Sequence, residues 1–173
     1  MRFDAAPWSR ALKTMSVLGT IVLCGVSYAA YYAIPLPSGF THDFGLGVAS
    51  IPLAVLAACA WFVVRSYTLE GDALLVQRLA TSTRIPLAGL TRAWRDENPC
   101  KGSIRVFGNG GLYSFSGWFY SKRLGRYRLL ATDFRNAVVL RFEKRVIVVS
   151  PAAPGAFIEH LSRVFPNLDQ SPE

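Results

Sequence analysis

Two long uncharged runs dominate the first third of the chain, and short β-rich runs separated by turn residues fill the rest. Ser16 to Ile34 carries no charge, and Leu12 extends it with Lys13 at the edge. Phe44 to Val64 is also uncharged. Each run reaches about the ~20 residues that a helix needs to cross a ~30 Å hydrocarbon core, where only a helix satisfies its own backbone without neighbours. The pattern predicts transmembrane helices over about 12–34 and 44–64. Tyr28, Tyr31, Tyr32 and Trp61 suit interfacial positions. Pro52 predicts a kink, which membrane helices tolerate.

Pro35 to Asp43 lies between the runs, short and rich in breakers. It predicts an antiparallel hairpin. The linker has no Lys or Arg, whereas Arg2, Arg10 and Lys13 precede the hairpin and Arg65 closes it. The positive-inside bias then places both termini in the cytoplasm of a multi-pass protein of the inner (plasma) membrane. Two plainer readings compete. Ser27-Tyr28-Ala29 offers a small-x-small signal-peptidase pattern, but the apolar run is long for a signal sequence and continues past it. Cys24 follows Leu23 rather than a small residue, against a lipoprotein site. A pair of buried helices in a soluble protein is the other reading, and two uncharged runs in so short a chain argue against it.

From Ser66 onward the runs shorten. Tyr67–Glu70 and Ala73–Leu79 flank the break Gly71-Asp72, and Ser82–Pro86, Thr91–Arg95 and Ser103–Phe107 follow as strand candidates. The glycines from Gly108 to Gly111 predict a turn into a strand over Leu112–Ser116. Arg126–Thr132 alternates, with Tyr127, Leu129 and Ala131 on one face and Arg126 and Arg128 on the other. Ala137–Phe142 and Arg145–Ser150, joined by Glu143-Lys144, read as a tight hairpin at the buried centre of a sheet. Phe157, Ile158, Leu161, Val164 and Phe165 form one apolar helix face, with Pro154 in its first turn and Pro166 ending it. That helix predicts a cap on the open end of a bent sheet.

Charge sharpens the division. The net charge is +8, and residues 65–173 hold 16 Lys/Arg against 9 Asp/Glu. A basic domain beside a membrane span is drawn to anionic headgroups by about 1 kcal/mol per Lys/Arg near the surface. Nothing else in the chain points to nucleic acid. Charged residues make up 17% of the chain, below the roughly 25% of soluble domains. Cys24, Cys59 and Cys100 lack metal or disulfide spacing and read as structural, their odd number arguing weakly against an oxidising compartment.

A series of short motifs carries a resemblance. Gly108-Asn109-Gly110-Gly111-Leu112, Gly117-Trp118-Phe119 and Leu124-Gly125-Arg126-Tyr127 come first. Ala131-Thr132-Asp133, Asn136-Ala137-Val138-Val139-Leu140 and Val148-Val149-Ser150-Pro151 follow. Together, over roughly Arg65 to Phe165, they resemble the bacterial pleckstrin-homology (PH-like) domain family, many of whose members carry two membrane helices in front. The resemblance implies a seven-stranded, strongly bent sheet capped by a C-terminal helix. The expected fold class is therefore an α+β membrane protein: a two-helix transmembrane hairpin followed by a PH-like bent antiparallel β-sheet or barrel with a C-terminal helix. The expected divisions are 1–65 for the N-terminal segment and hairpin, 66–166 for the PH-like domain, and 167–173 for a disordered tail.

Little in the chain points to catalytic chemistry. His42 and His160 fall on opposite sides of the membrane in this topology, so they cannot share a metal. No P-loop, H-E-x-x-H or G-x-S-x-G occurs. The glycine cluster fails G-x-G-x-x-G because Tyr113 stands at the third glycine, and a turn needing positive φ explains it better. Asp96 and Glu97 are adjacent, so in an extended run they point apart. The expectation is a non-enzyme without cofactor or metal.

The most suggestive stretch runs from Gly117 to Arg128. Three consecutive aromatics, Trp118, Phe119 and Tyr120, precede Lys122, Arg123, Arg126 and Arg128. Rings settle among headgroups while cations pair with lipid phosphates. Lys122 with Arg126-x-Arg128 is similar to the basic signature of phosphoinositide-binding PH domains, although it falls mid-domain rather than between the first two strands. The plain alternative puts Trp118 and Phe119 in the core and leaves the cations as a solvated face. These four cations are the candidate lipid or partner contact surface. The expected role is a membrane-anchored, non-catalytic module that binds a protein partner or orients on anionic lipid. The alternative is an accessory subunit of a larger membrane complex acting through its helices, with small residues such as Gly45, Gly47, Ala57 and Ala58 allowing close packing.

Overall fold

A computed structural model of the chain describes residues 1–32 and 42–171. It contains ten strands, two long helices near the N-terminus and one short helix near the C-terminus among those residues. The long helices are α1, Arg10–Tyr32, and α2, His42–Trp61, with Pro52 inside α2. At a rise of about 1.5 Å per residue both are long enough, and apolar enough, to cross a membrane. They run antiparallel, since residues 2–4 ahead of α1 pair with residues 66–68 behind α2, and Cys24, Tyr28 and Tyr31 share a groove with Leu46, Ala49 and Leu53. The Ser27 hydroxyl donates to the Ala49 carbonyl between them. Linker residues 35–41 lie outside the described residues.

The buried core-helix reading does not survive. Val17, Ile21, Val22, Ile51 and Leu53 are all exposed on the helix surfaces. Only Leu12, Ser16 and Ser27 of α1 are buried, and the first two are covered by the β domain rather than by α2. The second helix also ends earlier than its apolar run. Val64 leaves it to begin a strand, because its side chain is needed in the core of the sheets.

The strands form two sheets. The smaller contains β1 (Arg2–Asp4), β2 (Val64–Glu70), β3 (Ala73–Arg78) and β4 (Ser82–Pro86), in that order. The larger runs β5 (Leu90–Arg95), β9 (Val138–Phe142), β10 (Val146–Val149), β8 (Gly125–Ala131), β7 (Phe115–Ser121), β6 (Ile104–Gly110). All pairings are antiparallel except β8 with β10, which is parallel. β9 and β10, joined through Glu143-Lys144-Arg145 rather than a two-residue turn, are interior strands of the larger sheet. Their near-continuous apolar sequences follow from burial on both faces. Val138 and Leu140 face the core between the sheets, with α3 (Pro154–Val164) packed on it, whereas Val139 faces a second core with Tyr127 and Phe115.

Three features depart from the sequence pattern. Residues 2–4 add a strand ahead of α1, pairing Phe3 with Tyr67 and burying the Phe3 ring against Phe157 at 5.2 Å. Ile104–Gly110 and Phe115–Ser121 are the strands of the third hairpin, so the turn lies at 111–114 and the strand predicted over 112–116 starts late. Asn109 holds that turn, its Oδ1 accepting from the backbone N–H of Gly111 and Leu112 at 3.1 and 2.9 Å. Finally, the expected disordered tail is ordered as far as it is described. Leu168 is buried in the main core, and Asp169 pairs with Arg92 at 3.0 Å.

Candidate functional site

The four candidate cations divide between two places. Lys122 and Arg123 occupy the β7–β8 turn, whose Leu124 amide is held by the Ser121 hydroxyl at 3.0 Å. Arg123 pairs with Asp96 across that turn, and both line an open recess with Asn98, Lys101 and Lys122. Asp96 is therefore a structural counter-ion, and its neighbour Glu97 pairs with Arg95 at 3.1 Å. The charge of Arg123 is largely answered within the protein.

Arg126 and Arg128 lie one pleat apart on β8, sharing a face. Their neighbours are the aromatics of β7, where Trp118 pairs in register with Arg128, and Tyr120 with Arg126. The Arg126 guanidinium sits over the Trp118 ring at 4.9 Å. Strand alternation splits the aromatic run. Phe119 is buried and stacks on Tyr127 at 5.8 Å, whereas Trp118 and Tyr120 are exposed. Only Phe119 fills the core.

Arg128 is half-buried and lines a recess of about 390 Å³ with Trp118, Phe107, Phe62 and a cation absent from the sequence argument, Arg78. Arg78 lies some fifty residues upstream in sequence, at the end of β3, and its guanidinium covers the Phe62 ring at 5.0 Å. Burial lowers the pKa of both arginines, and the charge of Arg128 lowers that of Arg78 further. No linear motif joins them. The one available signal was position: each lies two residues along a strand from a buried apolar residue, Val76 for Arg78 and Leu130 for Arg128.

The first helix is clamped to the domain near this face. The Tyr113 hydroxyl meets Thr20 Oγ1 at 2.8 Å, and Trp8 lies 6.1 Å from the Tyr113 ring. Ser114 of the same turn approaches the Phe62 carbonyl at 3.4 Å, so the turn touches α1 and the residue just past the end of α2. Beside it, β6 is an edge strand with Ile104, Val106 and Phe107 exposed.

Elsewhere the reactive side chains have structural partners. The Tyr127 hydroxyl lies 2.8 Å from Ser103 Oγ and 3.4 Å from Cys100 Sγ. Burial pushes the Cys100 thiol up, away from the thiolate a nucleophile needs. His160 sits on α3 beside the Phe3 ring. Among the described residues, no group of three or more His, Cys, Asp or Glu is placed to hold a metal ion.

Residues 65–165 match the model of the bacterial PH domain family. No curated protein and no solved structure matches the chain.

Proposed function

We propose that this chain, which belongs to the bacterial PH domain family, is a non-catalytic module anchored in the inner membrane by α1 and α2. Both termini and the β domain lie on the cytoplasmic side in this reading, and the β7–β8 face meets the headgroup layer. The observation that carries it is the pairing of β1 with β2. The strand before the first helix is hydrogen-bonded to the strand after the second, so a bilayer around the hairpin must leave both on one side. The cations Arg2, Arg10, Lys13 and Arg65 favour the cytoplasm for that side. The clamped 111–114 turn would then sit at the level of the interface, where Trp8 and Tyr113 suit an aromatic belt.

A second reading rests on the outer helix surfaces. Apolar side chains are exposed along both helices, and a Cβ on Gly25 or Gly47 would meet nothing within 4 Å. Such a face suits close packing with a helix of another membrane protein, as in an accessory subunit.

The test uses the full-length chain. Membranes washed in alkaline carbonate retain the protein, and reporters active only in the cytoplasm are active at both ends. Release by the wash, or a silent reporter at either end, would overturn the anchoring. Exchanging the hairpin for an unrelated anchor separates the two readings, since activity lost with the exchange favours the subunit.

A further inference from the structure

Arg78 and Arg128 meet at the mouth of the gap between the two sheets. Val76 and Leu130 are fully buried in the core there, and the pleat puts Arg78 and Arg128, two residues away along each strand, on those same faces. The mouth opens beside the last turns of α2. Its walls are apolar: Val55 and Ala58 from α2, Phe62 just past its end, Phe107 and Trp118 from β6 and β7. A recess of about 390 Å³ lies within the 300–1,000 Å³ typical of ligand sites.

What distinguishes the recess is half-buried charge with no counter-ion. Neither arginine has an ion-pair partner among the described residues, although six other ion pairs join arginines to carboxylates. The Nε of Arg78 is buried with no hydrogen-bond partner. Arginine does not shed its proton to escape such a site, so two cations remain side by side against a hydrocarbon wall. An anion with forked acceptor oxygens and an apolar body complements both features, and phosphate accepts paired N–H groups from arginine well.

We propose that Arg78 and Arg128 together clamp the phosphate of an anionic phospholipid whose acyl chains lie along α2 from Phe62 toward Val55. The assignment rests on the membrane reading above, because the apolar wall continues into the exposed surface of α2. Trp118, held under Arg126, forms the rim. A water-soluble phosphate would gain nothing from Phe62, Ala58 and Val55. The site differs from the Lys122–Arg123 turn, where Asp96 supplies the counter-charge.

The experiment titrates full-length protein in a non-ionic detergent with phosphatidylglycerol or phosphatidylcholine carrying brominated chains, reading tryptophan quenching. Both lipids carry the phosphate, but the choline cation of phosphatidylcholine meets two arginines as a like charge, so phosphatidylglycerol is expected to quench at about tenfold lower mole fraction or less. The preference disappears in R78Q/R128Q and persists in R123Q. Should the double variant misfold by circular dichroism, R78K and R128Q singly serve, each weakening the preference. Equal quenching by the two lipids, or an undiminished preference in a folded R78Q/R128Q protein, would sink the proposal. So would displacement of the lipid by millimolar inorganic phosphate, which would mean that the acyl chains contribute nothing. Failure of anchoring reads differently: the protein would then leave the membrane fraction in the carbonate wash.

Discussion

The Ser16 hydroxyl accepts a hydrogen bond from the Tyr113 amide at 2.9 Å and donates one to the Gly111 carbonyl at 3.3 Å, joining the first long helix to a turn nearly a hundred residues away. Ser16 is buried, and Tyr113 is held at a φ of 66°, a left-handed conformation unusual outside glycine. The serine thus supports a strained turn as well as a helix contact. Ser16→Ala leaves a buried amide and carbonyl short of partners, at about 1–3 kcal/mol. The expected result is a lower melting temperature in detergent with faster proteolysis at residues 110–114. An unchanged melt and digestion pattern would show that the clamp contributes nothing.

Gly117 makes a sharper prediction. It pairs with Gly108 across β6 and β7, and a Cβ on it would lie 2.2 Å from the Phe107 carbonyl oxygen. Gly117→Ala therefore forces the two strands apart. Gly71→Ala is the comparison, since Gly71 has a φ of 55° but open space around it and should lose only about 1–2 kcal/mol. The Gly117 variant is expected to be clearly the less stable of the two, as measured by thermal unfolding of each.

Tyr67 links stability to alkaline pH. Its hydroxyl is fully buried, donating to the Leu130 carbonyl at 2.7 Å and accepting from the Ser150 amide at 3.1 Å. Burial pushes its pKa up to about 12, with the Ser150 hydrogen bonds pulling back. Unfolding lowers it to the ordinary value near 10. The unfolded chain then binds fewer protons above pH ~10, so stability is intact below that and falls as pH rises through the folded value of about 12. Tyr67→Phe loses about 1–3 kcal/mol from the unpaired partners at neutral pH, yet should show a shallower alkaline decline. Unfolding free energies from pH 8 to 12 check both signs.

Leu168 tests the tail. Its side chain joins the main core beside Ala93 and Phe165, and the next residue pairs with Arg92. Leu168→Ala should cost about 2–3 kcal/mol by leaving a cavity. Removing residues 167–173 should destabilise at least as much. A truncated protein with an unaltered melt would return the tail to the disordered state that its composition suggests.

The elements that the sequence made legible are those whose side chains see one kind of surroundings over many residues. The uncharged runs became α1 and α2, the 3.6-residue spacing of Phe157, Ile158 and Leu161 became α3, and the Val-rich pair around Glu143-Lys144 became two interior strands of the larger sheet. β1 was hidden because Arg2-Phe3-Asp4 is too short to show alternation and gains meaning only from Tyr67 opposite it. The β6–β7 register was misplaced because Gly108 and Gly110 look like a turn, whereas close strand approach requires the first of them within a strand. At the candidate site, Arg126 and Arg128 were visible as a pair, whereas Trp118 and Phe119, placed together in the core by the plain alternative, are separated by the alternation of β7. Arg123 could not be known to be neutralised, nor Arg78 to be near, because both facts depend on how β3, β5 and β8 are brought together in three dimensions.

The placement of β1 ahead of α1 has a consequence for biogenesis. The smaller sheet wraps around the hairpin in chain order, so it cannot close until both helices have left the ribosome and β2 has emerged behind them. During that interval Met1 to Ala6 must wait as an unpaired clasp, with Phe3 still bare. A fragment starting at Arg65 would never receive that clasp. It would open with a vacant groove along β2 where the first three-residue strand belongs, and its natural repair would be to borrow an extended segment from a neighbouring molecule.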